Sequence, residues 1–351
     1  MKRSFLFRDM MNKKLFKLFI LINSISLLSC ANITNNKEPK FDEIKDANGI
    51  IHKIPNNPKT ATAASVYAVA SPFFLALDMT DRVLAINTKK PFMKNNDAGF
   101  RNAGTIGNGI VDLEKLAKYN PTALIHRSND PKTVKAVKKL NIDIITITVE
   151  NMVDVKYTLN NLGKYFGEQE RAKEISNWID NEFNFIDNIV KNIPENEKVT
   201  ALTMGGELGR VAGKDMLQSW MIEKAGGIPV IKEEKDHNWI NIGIEKVFKY
   251  NPQFIFCSSS TARNYDASKL TLDTAWSTID AGKNKNIYII PSDNDSWDMP
   301  GIAPVLGTMY MLRMMYPAYL SLDIFQNHIN EYYKLMFGRT FTEKELGYTL
   351  N

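Results

Sequence analysis

Charged and metal-binding side chains stand where two predicted strands of this 351-residue chain end. His126 and Arg127 close an apolar run in the first half of the chain, and Cys257 closes a similar run in the second half. Open α/β sheets bind ligands just beyond the carboxyl ends of their strands, so residues 126–128 and 257–260 are predicted to face a common cleft. An arginine there suits an anionic ligand, because its guanidinium keeps its charge and offers donors in a fixed geometry.

Two of the four histidines, His126 and His237, fall on predicted cleft loops. Each has two interpretations: it completes the coordination of an already chelated metal, or it forms ordinary hydrogen bonds. A site for a bare metal ion would have to recruit carboxylates as further ligands, from Asp298, Glu207 or Asp236. Cys257 ends an apolar strand and is interpreted as a buried structural thiol rather than a ligand.

A repeated segment organises the elements around these residues. Glu114-Lys-Leu-Ala-Lys-Tyr-Asn-Pro and Glu245-Lys-Val-Phe-Lys-Tyr-Asn-Pro start 131 residues apart, and a short apolar run follows each. Each copy predicts an amphipathic helix that opens at the glutamate, ends at Asn-Pro and leads into a buried strand. One such unit in each half of the chain predicts two α/β lobes with parallel sheets.

A long helix is predicted between the lobes, over residues 168–190. Its apolar residues recur every three or four positions, and the segment contains neither proline nor glycine. The predicted domains are residues 46–154 for the first lobe, 155–193 for a helical linker and 194–351 for the second lobe. A single helix of this length would join the lobes stiffly.

The start of the chain resembles a bacterial lipoprotein signal. Lys13, Lys14 and Lys17 precede an apolar run that ends in Leu27-Leu28-Ser29-Cys30. Residues 1–29 are therefore predicted to be a signal peptide, Cys30 to carry lipid, and residues 30–45 to form a polar tether. An uncleaved membrane anchor is the alternative, and initiation at Met11 would give a more typical signal length.

The charge balance argues against a nucleic-acid partner. The whole chain has 44 Lys and Arg against 39 Asp and Glu, and the first 29 residues hold six of the former and one of the latter. The remainder has 38 of each, whereas nucleic-acid binding requires a strongly basic surface. The sequence also contains no nucleophile elbow, P-loop, HExxH or dinucleotide fingerprint, so a binding protein is favoured over an enzyme.

Taken in order, the predicted lipobox, two lobes, bridging helix and paired glutamates resemble a class III substrate-binding protein of an ABC importer. The resemblance covers about residues 46–337 and points to the group that binds iron-siderophore complexes, haem and vitamin B12. It implies two Rossmann-like lobes joined by one long α-helix and a ligand held between them. It also implies that Glu114 and Glu245 form salt bridges with arginines of a permease dimer served by an ATPase, although each glutamate could instead only favour its helix N-terminus.

The resemblance further implies a set of ligand contacts. Trp239 stands six residues before the second glutamate, where the vitamin B12 binder has a tryptophan that faces the ligand, whereas Arg127 replaces an aromatic residue of that protein. The other implied contacts lie on predicted loops at strand ends. The full set is Tyr67, Arg127, Arg210, Trp239, Trp297 and Asp298, with His126 and His237 for a directly coordinated metal.

The expected protein is a monomeric, exported lipoprotein without an intrinsic cofactor that captures a ferric siderophore and delivers it to a permease. Haem, cobalamin or a nickel or cobalt chelate are alternative ligands. A tetrapyrrole metal chelatase that uses His126 or His237 with Glu207, and a surface adhesin, are alternatives of other classes.

Overall fold

The computed structural model describes residues 43–87, 91–232, 238–258, 264–291 and 295–348. Cys30, His237 and the predicted signal peptide lie outside these ranges. Within them, no helix combines the length and the apolar character that a membrane crossing requires.

A hairpin begins the described chain. Strands β1 (Glu43–Lys45) and β2 (Ile51–Lys53) pair antiparallel around a turn that starts at Asp46. The buried Asp46 carboxylate accepts hydrogen bonds from the Thr146 amide (3.1 Å) and hydroxyl (2.7 Å), which tie the hairpin to the first sheet. Residues 43–45 were predicted to belong to the tether, and this boundary is wrong because their backbone is paired with β2.

The first sheet is parallel and has four strands in the order β4-β3-β5-β6. Its strands are β3 (Ala63–Ser65), β4 (Val83–Ile86), β5 (Ala123–Arg127) and β6 (Asp143–Ile147). The described residues between these strands form helices α1 (Ser71–Ala76), α2 (Pro91–Asn96), α3 (Ala98–Asn102), α4 (Leu113–Tyr119) and α5 (Pro131–Val137).

Two helices follow the first sheet and pack against each other: α6 (Met152–Phe166) and α7 (Gln169–Val190). Helix α7 confirms the predicted bridging helix to within one residue at each end. Gly167 separates α6 from α7 in the left-handed conformation (φ +77°), which glycine adopts without strain.

The second sheet is mixed, with the order β10-β8-β7-β11-β12 and β9 paired beside β7. Strands β7, β9, β11 and β12 run parallel, while β8 pairs antiparallel with β7 and β10 pairs antiparallel with β8. Its strands are β7 (Thr200–Met204), β8 (Arg210–Ala212), β9 (Ile228–Pro229), β10 (Trp239–Asn241), β11 (Phe254–Cys257) and β12 (Ile287–Ile289). Arg210 therefore begins a strand and does not lie in the loop that the glycine-rich sequence predicted.

The helices of the second half alternate with strands up to β12, and the described residues after β12 form helices but no strand. They are α8 (Leu217–Lys224), α9 (Ile244–Tyr250), α10 (Ala267–Leu270), α11 (Asp280–Lys283), α12 (Pro304–Met315), α13 (Leu322–Phe337) and α14 (Glu343–Leu346). Met309 and Met311 of α12 are fully buried, which confirms that this methionine-rich helix belongs to the core. Cys257 is also fully buried, as expected of a structural thiol.

Successive side chains along the central strands of both sheets enter two different hydrophobic clusters, one on each face of the sheet. In β5, Ile125 belongs to the largest hydrophobic cluster, whereas Leu124 belongs to a separate small cluster on the other face of the sheet. In β11, Phe256 and Ile255 divide in the same way. Parallel strands buried on both faces explain why these segments read as continuous apolar runs.

One continuous core connects the two sheets. The largest cluster contains strand residues from both sheets together with the inward faces of α1, α6, α7, α12 and α13; representative members are Ala63, Phe74, Ile125, Leu159, Ile179, Ala201, Phe256, Met309 and Phe325. The bridging helix is therefore a central element of the packing.

The repeat is confirmed as a structural unit, since α4 leads into β5 and α9 leads into β11. Asn120 and Asn251 close the two helices in the left-handed conformation, with φ +47° and +45°. Asparagine tolerates this conformation better than other residues that carry a Cβ. The helix end therefore depends on the left-handed asparagine as well as on the proline after it.

Replacement of Asn120 by alanine should lower the free energy of unfolding by about 1 kcal/mol, because alanine pays the steric cost of the left-handed conformation. Asn120→Gly avoids that cost and should be close to wild type. Urea denaturation followed by circular dichroism measures both. Equal losses in the two variants would show that the asparagine side chain, and not its backbone conformation, is what matters.

Candidate ligand-binding site

Three polar side chains gather at the carboxyl end of the first sheet. Arg127 is the last residue of β5 and is exposed, while Tyr67 and Glu150 follow β3 and β6. Burial and the charge of Glu150 raise the pKa of the half-buried Tyr67, and Arg127 opposes this shift. Arg127 and Glu150 therefore both lie within electrostatic reach of Tyr67.

Hydroxyl groups hold this end of the sheet in place. Ser65 donates from Oγ to the Ile125 carbonyl oxygen (2.8 Å) and accepts from the Tyr67 amide (2.9 Å). The hydroxyls of Ser128 and Thr148 lie 2.7 Å apart, which links the segments after β5 and β6. These contacts fix the backbone from which Tyr67 and Arg127 project.

His126 is buried although its neighbour Arg127 is exposed, because successive residues of a strand start towards opposite faces of the sheet. It is 1% exposed, and its Nε2 lies 3.1 Å from the Asp130 carboxylate at the start of α5. Burial lowers the pKa of His126, with Asp130 opposing. The expectation that His126 is open to a ligand in the cleft is wrong for this structure.

Arg127 also has a nearby anion, since its Nη2 lies 3.5 Å from Asp130 Oδ2. Burial raises the pKa of Asp130, but hydrogen bonds from His126 and Thr133 outweigh it and leave that pKa well below its usual range. The carboxylate thus stays charged. Because the arginine is exposed, the ion pair contributes little and leaves the guanidinium available to a ligand.

Arg210 and Trp239 share one face of the second sheet. Trp239 stands opposite Ala212 and Asn241 opposite Arg210 in the antiparallel ladder between β10 and β8. Residues directly opposite each other, and residues two apart along a strand, point to the same side. The two residues predicted for this lobe's part of the site are therefore brought together, and both are half-buried.

Gly205 makes room for the Trp239 ring. A Cβ at position 205 would lie 2.8 Å from Cε3 of the indole, which is too close for any side chain. Tyr265, in the segment after β11, donates from its hydroxyl to the Gly205 carbonyl oxygen (2.8 Å). The indole therefore packs directly on the backbone at the carboxyl end of β7.

The predicted contacts Trp297 and Asp298 belong to the core instead. Trp297 is 1% exposed, and its indole nitrogen donates to the Tyr333 hydroxyl (2.9 Å). Asp298 is fully buried and accepts a short hydrogen bond from Ser258 Oγ, while its carbonyl accepts from Gln218 (2.8 Å). The prediction that these side chains are open to a ligand is wrong, because aromatic residues of α12, α13 and the C-terminal segment surround the tryptophan.

The same segment nevertheless joins the two halves of the fold. A Cβ at Gly301, which follows β12, would lie 3.2 Å from Cβ of Pro72, which follows β3. Segments leaving the carboxyl ends of both sheets therefore meet. The contact therefore links the chain that follows one sheet to the chain that follows the other.

Glu114 and Glu245 are both exposed in the first turns of α4 and α9. Asp112 provides the N-cap of α4 by accepting from the Lys115 amide (3.0 Å), whereas α9 has Gly243 at its N-cap and no side-chain cap. Glu114 is therefore not the N-cap of α4. Both glutamates occupy equivalent positions in the two copies of the repeat.

Glu150 and Tyr265 were missed by the sequence analysis. Glu150 follows β6 and Tyr265 follows β11, so the position after a strand, which selected Arg127, could have found both. His237 lies outside the described residues, and its predicted role stays a prediction.

A family model described as Periplasmic binding protein matches residues 64–294, well over half of the chain. The fold is similar to a periplasmic solute binding protein from Veillonella parvula DSM 2008, with 20% identity, a TM-score of 0.75 and coverage of 87% of this chain and 95% of that chain. It is similar to Helicobacter pylori Ceue with Ni(II) bound, with 20% identity, a TM-score of 0.69 and coverage of 87% and 98%.

The periplasmic heme binding protein HutB of Vibrio cholerae is also similar, with 16% identity, a TM-score of 0.62 and coverage of 74% of this chain and 100% of that chain. None of the curated proteins compared with the chain matches it. Identities this low show a shared fold and leave the ligand to be argued from the residues themselves.

The buried carboxyl group of Asp295, two residues before Trp297, should make the stability of the protein depend on pH. Burial raises its pKa from the ordinary value of 3.8 to about 6, although Tyr332 and Tyr333 oppose the shift. The folded protein then holds this proton more tightly than the unfolded chain, so the contribution of Asp295 to stability is fully present below pH 3.8 and is lost as the pH rises towards about 6.

Asp295→Asn should remove that part of the decline, because asparagine cannot ionise. Urea denaturation of both proteins from pH 4 to pH 8 measures the difference. Parallel curves for wild type and variant would contradict a raised pKa at Asp295.

Proposed function

Because the chain belongs to the periplasmic binding protein family, it is a solute-binding protein, and we propose that it captures a ferric siderophore between its lobes and delivers it to an ABC permease. The observation that carries the ligand proposal is the pairing of an arginine with an aromatic ring at the end of each sheet. Arg127 lies within reach of Tyr67 in one lobe, and Arg210 shares a sheet face with Trp239 in the other.

Ferric catecholate and citrate complexes suit this combination. Both kinds of complex are anionic, and guanidinium groups bind anionic oxygens with fixed, charge-assisted hydrogen bonds. Flat catecholate rings can pack on Tyr67 and Trp239. Glu150 and Asp130 place two carboxylates near Arg127 and balance the charge of the two arginines, so the arginines would act through directed hydrogen bonds to the ligand.

Other ligands within the same role are less well matched. Haem and cobalamin present large apolar surfaces, and the described cluster contains only two aromatic side chains from the predicted set. A nickel or cobalt chelate would need groups other than His126, which is buried and held by Asp130. The chelatase alternative cannot use His126 for the same reason.

The proposal includes a permease partner. Glu114 and Glu245, one in each copy of the repeat, would dock the two lobes onto the two permease subunits through arginines of the partner. Exposed charges of this kind set orientation and encounter rate more than affinity. The remaining parts of the proposal are lobes at residues 46–154 and 194–351 with a linker at 155–193, a monomer, and export with a lipid on Cys30.

Ligand identity is testable by tryptophan fluorescence of the purified protein. We expect saturable quenching by one class among ferric catecholate, hydroxamate and citrate complexes. Arg127→Ala should weaken that binding about tenfold or more, since it removes a charge-assisted contact. Trp239→Phe should remove most of the signal, because Trp297 is buried away from the ligand.

Arg101→Ala is the matched control, because Arg101 is an exposed arginine of the same half of the protein. Saturation by haem, cobalamin or nickel ions and by no ferric complex would refute the siderophore proposal and keep the solute-binding role. An unchanged affinity in Arg127→Ala would remove Arg127 from the site.

Permease docking is tested by reversing both charges with Glu114→Lys and Glu245→Lys. Uptake of the ligand by cells should be abolished, while the affinity of the purified double variant for the same ligand stays unchanged. Glu170→Lys controls for the loss of a carboxylate from the first turn of a helix, since Glu170 is exposed there in α7. Uptake that survives the double reversal would contradict the docking role.

A further inference from the structure

A cluster of possible metal ligands lies between α7 and α13, away from the residues described at the sheet ends. It consists of Glu182 on α7 with His328 and Glu331 on α13. One ligand atom from each residue lies within 4.8 Å of the others. His328 and Glu331 are three residues apart, so they project from the same side of their helix, towards the carboxylate on α7.

Glu182 is a buried carboxylate in largely aromatic surroundings. It is 5% exposed on a helix face that otherwise packs through aromatic side chains, since Trp178 contacts Tyr332 and Phe185 contacts the His328 ring. Its Oε2 and His328 Nδ1 are 2.7 Å apart, yet neither atom forms a hydrogen bond of normal geometry. Burial of a carboxylate is costly unless its oxygens are fully satisfied.

The charges of the cluster favour a dication. Two carboxylates converge on one imidazole, so the cluster carries a surplus of negative charge. The field at the imidazole is therefore one that attracts positive charge. Bound Zn²⁺ would satisfy both carboxylates and Nδ1 at once, whereas a single proton satisfies one contact.

The dimensions also suit a small transition-metal ion. Ligand atoms about 2.1 Å from a tetrahedral ion are about 3.4 Å from one another. The separations of 2.7 Å and up to 4.8 Å in the cluster bracket that value, so small side-chain rotations suffice. Nitrogen and carboxylate oxygen are ligands that zinc, nickel and cobalt accept, and the exposed Glu331 leaves one side open to water as a fourth ligand.

We propose that Glu182, His328 and Glu331 form a binding site for a divalent transition-metal ion that clips α13 to the bridging helix. The site is independent of the ferric-chelate proposal, because it uses none of the residues at the sheet ends. A bound ion stabilises the folded protein according to its concentration and affinity, so the melting temperature should rise with added metal.

The test is titration of the metal-free purified protein with Zn²⁺ and Co²⁺ by calorimetry and by thermal melting. We expect one equivalent of ion at this site and a rise in melting temperature. His328→Gln and Glu331→Gln should each weaken that binding at least tenfold. Asp323→Asn, an exposed carboxylate elsewhere on α13, and Arg127→Ala should leave it unchanged.

Glu331→Gln is the informative variant, because an exposed side chain can be replaced without loss of the fold. Its metal-free melting temperature should equal that of wild type, which separates a ligand role from a structural one. The proposal would be overturned if the wild type bound no metal ion, or if both His328→Gln and Glu331→Gln bound it as tightly as the wild type. Glu182 and His328 would then be an ion pair only.

Discussion

One arginine ties the bridging helix to two other helices. Arg171, in the first turn of α7, donates from Nε to the carbonyl oxygen of Ala76 (3.0 Å) and from Nη2 to that of Leu335 (2.5 Å). These carbonyls stand in the last turns of α1 and α13, where helices have backbone acceptors without partners. A positive charge at two helix C-terminal ends is also favoured by their dipoles.

The two hydrogen bonds of Arg171, which we call the clamp, hold three helices together beside the core that both sheets share. Helix α1 follows β3 of the first sheet, α13 packs against α12 and α1, and Arg171 ties α1 and α13 to the bridging helix. The apolar residues behind the clamp form a single cluster that reaches strands of both sheets. A large rotation of one lobe against the other would expose part of that cluster, so we expect a ligand to bind with little closure. Binding then has to come from side chains already held at the sheet ends, such as Tyr67 by Ser65 and Trp239 by the bare backbone of Gly205.

The sequence predicted most elements but not the faces on which their side chains lie. The repeat, the proline positions and the apolar periodicity placed α4, β5, α7, α9 and β11 to within a residue or two, because these signals are local. These local signals could not show that His126 is buried while Arg127 is exposed, since that depends on how each face of the sheet is covered. Trp297 and Asp298 were misjudged because their surroundings come from Tyr333, Ser258 and Gln218, which are distant in sequence. Glu182 and His328 are 146 residues apart, and only the packing of two helices shows that they meet.

The most direct test of the account is a crystal structure of the protein with a ferric complex, measured at the iron absorption edge. The anomalous difference map locates the iron without reference to any assumed contact. We expect the strongest peak beyond the carboxyl ends of both sheets, bounded by Arg127 and Tyr67 on one side and by Arg210 and Trp239 on the other. An iron peak elsewhere, with these four side chains in contact with solvent alone, would contradict the proposed site and the reading of the paired arginines.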